Sequence, residues 1–454
     1  MKRITQGLII LVSFAVMALS APLALAGDLK IGIVDLTGMF EELNIFDSIF
    51  NPCMTGTILI RDAKGLSNKL SFDGSEILLI EMGKTENEAT IKKAFRVYKQ
   101  SSRKAVNIST ELYVLHFVSD EFILSQQTKI SKSYRDTYTN VVLDILKNFL
   151  LVNTEGVAFI EASKGIRTVV LPNKTPFESL DWCSKKAVND ELSPTFLFFE
   201  NKLGYNFLTI SKMLQQKATH DINYQPKNLA LPDEDKNEMM GARYLEVVSQ
   251  FDLNKNIKHG VYAGTFIGFD ITTRNVVKKI VDFESVYSTG NHANKTPNIG
   301  VITNKAGIKN TEMFNSRRVL FSSGIFNSES NYIKENDPSS IDSDDDTYNY
   351  VIQRESAIRN LMNQRLKVVM PGNFDLISGT NVNITVPTIS QQSSENSQDN
   401  TDKTKSGKYL IVATRQMITY DKHETIMEVA TDSTNKDSVY SSSQIQNDLA
   451  DFYG

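Results

Sequence analysis

Cysteine is nearly absent from this 454-residue chain: Cys53 and Cys183 are its only two. They lie far apart and in no CxxC or Cys/His cluster, which excludes the usual zinc frameworks. They read as two free buried thiols, with a disulfide between them as the alternative. Histidine is sparse at five and tryptophan occurs once, so neither supplies a chemical constellation by itself. An excess of positive charge is also lacking. Lys and Arg total 49 against 53 Asp and Glu, a net charge of −4, which gives no basic face for nucleic acid. The sequence contains no HExxH, GxSxG, GxGxxG or GxxxxGK pattern. The glycine-rich stretch Gly264-Thr-Phe-Ile-Gly268 reads as β-strand rather than phosphate loop. Long apolar runs are missing too. Gly7–Leu19 falls short of the ~20 residues that span a bilayer, so the mature chain is expected to carry no membrane span.

What is present is a folded, mainly β chain. Hydrophobic residues make up 41% and charged residues 22%, as in globular proteins, and the length implies several domains. At the N-terminus, Lys2 and Arg3, the run Gly7–Leu19 and Ala24-Leu25-Ala26 follow the order of a secretory signal. An apolar arm against a neighbouring subunit and a misassigned start are the alternatives for 1–27. The stretch from Phe40 to Gly83 organises the rest. Leu43–Phe50 forms a strand ended by Asn51-Pro52, Met54–Ile60 is β-branched, and Ile77–Met82 follows. Turns are expected at Asp62–Gly65, where glycine permits φ > 0, and at Asp73-Gly74. Asp28–Leu36, Ala94–Gln100 and Thr110–Val118 alternate as strands, with Phe95, Val97 and Lys99 on one face and Lys84–Lys93 a loop or hairpin tip. Thr110–Val118 is apolar on both sides, so it is expected to be covered on both faces. His116 within it reads as a packed core or interface residue, not a ligand. Residues 28–125 therefore hold about six strands, enough for a small barrel or sandwich.

The period then changes. Ser133–Leu151 carries an apolar stripe at helical spacing. Ile166–Leu171 is a short strand, and Thr175-Pro176 opens a second helix, Phe177–Val188, with threonine as N-cap. Trp182 on it reads as core. Pro194–Asn206 is a hairpin turning at Asn201–Gly204, so 126–220 is an α/β insertion. In 221–352, Asp233–Glu238 is an acidic loop or helix start, Met239–Phe251 a helix, Gly260–Asp270 β and Ile271–Tyr287 mixed β. Ser328–Val351 holds seven acids against Lys334 alone. It lacks the glycine and closing glutamate of a calcium loop and reads as a solvated acidic loop. Gln353–Arg365 is a helix, and Leu366–Met370, Val382–Val386, Tyr409–Met417 and Thr425–Thr431 make a second small barrel within 353–433. The polar stretch 388–407 is expected to be a mobile loop, and 434–454 a polar tail.

Three stretches carry a family resemblance: ELNIFDSIFNPCMTGTILIRDAKGL (42–66), the pair PFESLDWCSKKAV and SPTFLFFENKLGYNF (176–207), and LKVVMPGNFDLISGTNVNITVP (366–387) with GKYLIVATRQMITYDKHETIMEVATDS (407–433). They resemble the baseplate hub proteins of contractile phage tails and the hub part of type VI secretion spike proteins. The fold so implied is mainly β with α/β insertions (α+β), holding two tail-tube-like barrels in one chain. Three such chains would present six similar barrels, adapting a six-fold tail tube to a three-fold central spike. The resemblance implies a homotrimer that contacts tube, spike and wedge proteins in the virion baseplate after assembly in the host cytoplasm. DNA would pass through the ring without sequence recognition.

No catalytic, cofactor-binding or metal residue is assigned, and no cofactor and no enzymatic activity are expected. Two other readings remain. A tail-associated or periplasmic cell-wall hydrolase would draw its acid/base pair from Glu41, Glu42, Asp62, Glu76 and Glu81, although exposed structural carboxylates are the simpler account. An exported periplasmic or surface binding module is favoured by the leader alone.

Overall fold

The computed structural model describes residues 9–15, 33–69, 72–85, 88–153, 156–224, 241–270, 276–288, 290–300, 302–303, 307–314, 316–323, 347–388 and 401–436. The fold is α+β and dominated by strands.

The first sheet is built from β1 (Ile9–Ala15), β2 (Ile33–Asp35), β3 (Phe40–Ser48), β4 (Thr55–Asp62), β5 (Ile77–Thr85), β6 (Glu88–Asn107) and β7 (Thr110–Ser119), with the short helix α1 (Leu66–Lys69) between β4 and β5. It is antiparallel, in the order β3-β4-β7-β6-β5-β1-β2. Alternation decides which face is buried. Leu43, Ile45, Ile58, Ile60, Leu78, Ile80, Phe95, Tyr113, Leu115 and Phe117 point into one core, around which the sheet curls. Gly65 takes φ 67° in the expected turn. Two expectations change here. Of the two readings of Lys84–Lys93, loop or hairpin tip, the structure gives the hairpin, but a shorter tip, because β5 and β6 pair up to Thr85 and Glu88; the charged, non-alternating residues of β6 hid a 20-residue strand. A register shift between Val97 and Lys99 puts Lys99 opposite His116, on the face away from Phe95 and Val97.

The insertion begins with α2 (Asp120–Gln127) and β8 (Ile130–Asp136), then α3 (Tyr138–Asn148), β9 (Val157–Ile160), β10 (Arg167–Lys174), α4 (Pro176–Lys186), β11 (Phe196–Asn201), β12 (Gly204–Thr209) and α5 (Ile210–Gln215). The helix expected over Ser133–Leu151 starts later, because residues up to Asp136 pair with β10 and Thr137 caps α3 by accepting from the Asn140 N–H. The strand expected over Ile166–Leu171 runs on to Lys174, with Pro172 inside it. Thr175 and Glu178 form a capping box over Pro176, as the spacing predicts. Trp182 packs edge-on to Tyr138 at 6.2 Å. The hairpin β11–β12 stacks Phe196 on Phe207 and Phe198 on Tyr205, with centroids 4.6 and 5.6 Å apart.

Next come β13 (Ala218–Tyr224), β14 (Gly241–Ala242), β15 (Tyr244–Ser249), α6 (Leu253–Lys258), β16 (Ala263–Asp270), β17 (Val276–Asp282), α7 (Phe283–Tyr287), β18 (Thr296–Pro297), β19 (Arg318–Ser323) and α8 (Thr347–Leu361). Of the helix expected over Met239–Phe251, 241–249 is instead strand, and 239–240 lie outside the described residues. Tyr244, Val247 and Val248 favour the extended form, and β15 has a ready partner in β20 (Gln364–Pro371). Pairing removes residues from Gln364 onward from the helix expected to reach Arg365. Strands β16, β17 and β19 form a three-stranded sheet against α8, and Gly264–Gly268 lies within β16. The acids of Asp233–Glu238 and Asp342–Asp346 lie outside the described residues.

The chain ends in β21 (Asn381–Thr385), β22 (Gly407–Thr419), β23 (His423–Thr431) and β24 (Ser433–Thr434). Strands β13, β21, β22, β23 and β20 follow in spatial order. The segment 241–249 completes the ring: β14 pairs with β13, β15 pairs with β20, and the Arg243 N–H between them donates to the Val369 carbonyl. Six chain segments thus close a barrel around Ile222, Leu366, Val368, Met370, Val382, Ile384, Tyr409, Met427 and Val429. Of the expected mobile loop, 389–400 lies outside the described residues. Residues 401–407 are fastened, with the Asp402 N–H on the Val386 carbonyl and Gln364 donating to the Thr404 carbonyl.

Candidate interaction surface

Strand β22 joins the two β units. One edge pairs with β23 along its length. The other pairs with β21 at Gly407–Leu410 and then with β3 from Ala413 to Thr419. A register shift between Ile411 and Ala413 marks the change of partner, the local twist a bulge supplies. The Ile49 N–H donates to the Val412 carbonyl at this point. Asp47 sits fully buried at the joint. Its carboxylate accepts from the Thr414 hydroxyl and the Ser378 N–H. Burial pushes its pKa up to about 6 against those hydrogen bonds.

The shared sheet therefore presents one continuous outer face. In register across five strands stand Met417, Asn44, Thr57, His116 and Lys99. This face is mixed, with Leu59, Leu112 and Val114 among its polar residues, and it is stitched by ion pairs: Arg415–Glu42 at 3.2 Å, Arg365–Glu428 at 2.9 Å and Arg243–Glu424 at 3.6 Å. Arg415 also donates to the Asn44 side chain at 2.8 Å. Such exposed pairs add little stability, but they fix the charge pattern a partner would meet. Leu112, Val114 and His116 are half-buried, not covered as their apolar pattern predicts. His116 Nε2 lies 2.7 Å from the Ser101 hydroxyl. Partial burial and, after it, Lys99 hold the ring below its usual pKa. Beyond this face the β6–β7 hairpin projects, exposed from Ser102 to Ser109, with Ile108 at its tip fully in solvent.

The insertion is anchored to the first sheet by Glu200, buried on β11. It accepts from the Met54 N–H at 2.8 Å and the Ser119 hydroxyl at 2.6 Å, and it pairs with Lys93. Cys53 beside it and Cys183 on α4 are both free and buried. Burial pushes each thiol up to about 12, so neither is a thiolate at neutral pH.

The five carboxylates weighed for a hydrolase have structural employment. Glu41 pairs with Arg61 and Glu42 with Arg415. Asp62 accepts from the Lys64 and Ser67 N–H groups, and Glu76 from those of Asp73 and Gly74. Glu81 stands 3.5 Å from Lys92. Among the described residues no group of three His, Cys, Asp or Glu is placed to hold a metal, and no helix is long and apolar enough to cross a membrane. Sequence reading missed Asp47 and Glu200. Their signal was slight: a single acid inside an otherwise apolar strand, as in FLFFE at 196–200.

No protein-family model matches the sequence, and no curated protein matches it. Solved structures do. A tail protein from Neisseria meningitidis MC58 aligns with a TM-score of 0.51 at 8% identity, over 93% of this chain and 97% of that one. A 43 kDa tail protein of prophage MuSo2 from Shewanella oneidensis aligns at 0.49 and 11%, over 94% and 100%. A type VI secretion component from E. coli, described as similar to the phage T4 tail proteins gp27 and gp5, aligns at 0.42 and 8%, over 89% and 76%. The fold is shared with the Neisseria tail protein, in keeping with the resemblance carried by 42–66, 176–207, 366–387 and 407–433.

Proposed function

We propose that this chain is a structural baseplate hub protein of a contractile phage tail, a trimeric adaptor between the six-fold tail tube and the three-fold central spike. The observation that carries the reading is the joint at β22. One strand belongs to both β units, so the two are held at a fixed spacing and share one outer face. A ring of three copies needs such rigid pairing, because each chain must offer two tube-like edges in place of one. On this reading the tube-like units are the barrel of 28–125 and that of 353–433, the second closed by β13 and the segment 241–249, and 126–220 is the insertion between them. The partners are two further copies, the tube protein, the spike and the wedge proteins, and the site of action is the virion. The chain then works by contact and not by turnover.

The test is co-production with the tube and spike proteins encoded beside it, followed by light scattering. A mass of three copies, bound to spike, is the expected result. A chain that stays monomeric and ignores both partners would overturn the assignment. A peptidoglycan zymogram separates the hydrolase reading, which alone predicts clearing.

A further inference from the structure

We propose that the segment 290–298 is a proton-gated clasp on the end of the second barrel, closed while His292 is an imidazolium and loosened when the ring loses a proton. The segment is bound almost wholly by polar groups. Asn291 donates to the Ser211 hydroxyl, and Asn294 donates to the Lys408 carbonyl, the Thr431 hydroxyl and the Ser433 carbonyl. The Ala293 N–H reaches Asp432 at 3.1 Å, the Asn298 N–H reaches the Asp432 carbonyl, and β18 pairs with β24.

His292 is the titrating member. Its Nδ1 lies 2.7 Å from the Asp432 carboxylate and its Nε2 lies 2.6 Å from the Tyr287 carbonyl oxygen. Both partners only accept, so both ring nitrogens must donate, and only the doubly protonated ring does so. The ring also lies flat on Tyr287, centroids 3.5 Å apart and 7° from parallel, a placement that favours a cation. The groups that meet the ring are Asp432, just past β23, and Tyr287 of α7; Lys408 of β22 feels the charge of Asp432, Glu284 of α7 is exposed, and Lys295 lies three positions along the segment. Lys408 donates to the Leu214 carbonyl. Helix α8 and the 193–214 side bring Gln353, Asn360 and Ser211 to the adjoining cavity of ≈ 50 Å³, and none of these titrates.

Burial alone would push the His292 pKa down. The hydrogen bond and charge of Asp432, with the Tyr287 carbonyl, overcome it and raise the pKa. A raised histidine pKa stabilises the closed form fully below about 6.5, and that stabilisation is lost as pH climbs through the folded value. The clasp is therefore tight in acid and loosens toward alkaline pH. This inference does not rest on the hub assignment.

The experiment is hydrogen exchange of 290–298 between pH 6 and 9, corrected for intrinsic rates, with His292 followed by NMR titration. Protection of the segment should fall about ten-fold per unit by which the ring pKa exceeds its free value, while strands β20 and β23 keep theirs. Asp432→Asn and His292→Gln should abolish the step. A His292 midpoint below about 6.5 in the wild-type chain, or a step that persists in His292→Gln, would overturn it, and the first of these needs no variant to fold.

Discussion

Glu200 accepts the Met54 main-chain N–H at 2.8 Å across 146 positions of sequence. This bond and its companions lock the phenylalanine-rich hairpin to the mouth of the first sheet. Replacing Glu200 by alanine would strip the acceptor from the Met54 N–H, the Ser119 hydroxyl and the Lys93 ammonium together. Breaking a buried pair from one side costs about 3–5 kcal/mol. Urea unfolding should show a loss of that order for Glu200→Ala and a smaller one for Glu200→Gln, which keeps one acceptor. A loss under about 1 kcal/mol, the scale of a surface pair, would refute the anchor.

Arg354 does for the other side of the insertion what Glu200 does for this one. Its Nη1 donates to the carbonyls of Ser184, Pro194 and Phe196 at 3.1, 2.8 and 2.7 Å. The cation thus sits at the C-terminal end of α4, where helix carbonyls lack partners. Arg354→Met keeps the apolar stem and strands these oxygens, each buried orphan costing about 1–3 kcal/mol. The melting temperature should drop well beyond that of a surface change such as Lys185→Met, measured in parallel.

What the sequence made legible was whatever rests on local chemistry. Ile58 and Ile60 announce β4 by alternation, and Thr175-Pro176 announces α4 by its cap, because each signal sits within a few residues. The strand at 241–249 was not legible, since its conformation is set by β20, which lies far along the chain. Residues up to Asp136 were drawn into a helical stripe for the same reason: their partner β10 is remote. The charged half of β6 carries no apolar period, so nothing local marked it as strand. The joint at β22 is invisible in the sequence as well. Ile411, Val412 and Ala413 look like any strand interior, and only the three-dimensional pairing shows the change of partner.

Gly56 offers a test of how tightly the first core is packed. A Cβ there would lie 2.1 Å from the Phe117 ring and 2.5 Å from the Asn44 main-chain oxygen. The ring can shift but the backbone cannot, so Gly56→Ala should cost about 1–3 kcal/mol or more by overpacking. Phe117→Leu opens space of its own by removing ring volume. In a double-mutant cycle the two changes should therefore couple favourably, the pair being less destabilised than the sum. Simple additivity would mean that the Asn44 backbone contact is what excludes a side chain at position 56.

Asp47 makes the joint between the two sheets sensitive to pH. Its carboxyl is buried, and both of its partners, the Thr414 hydroxyl and the Ser378 N–H, donate to it. Burial outweighs them and lifts the pKa to about 6, whereas an unfolded aspartate titrates near 3.9. The folded chain therefore holds its proton to higher pH than the unfolded chain does. This contribution favours the fold most below about pH 4, declines as pH rises toward 6, and is flat above that. A gap of about two pH units between the folded and unfolded values corresponds to about 3 kcal/mol. In Asp47→Asn the side-chain amide would keep the geometry, its carbonyl accepting from Ser378 and its NH₂ donating to Thr414, without the buried charge. The variant should thus match the wild type near pH 4 and exceed it by up to about 3 kcal/mol at pH 7 in urea unfolding. If the two chains instead differ by the same amount at both pH values, Asp47 is not the group that titrates at the joint.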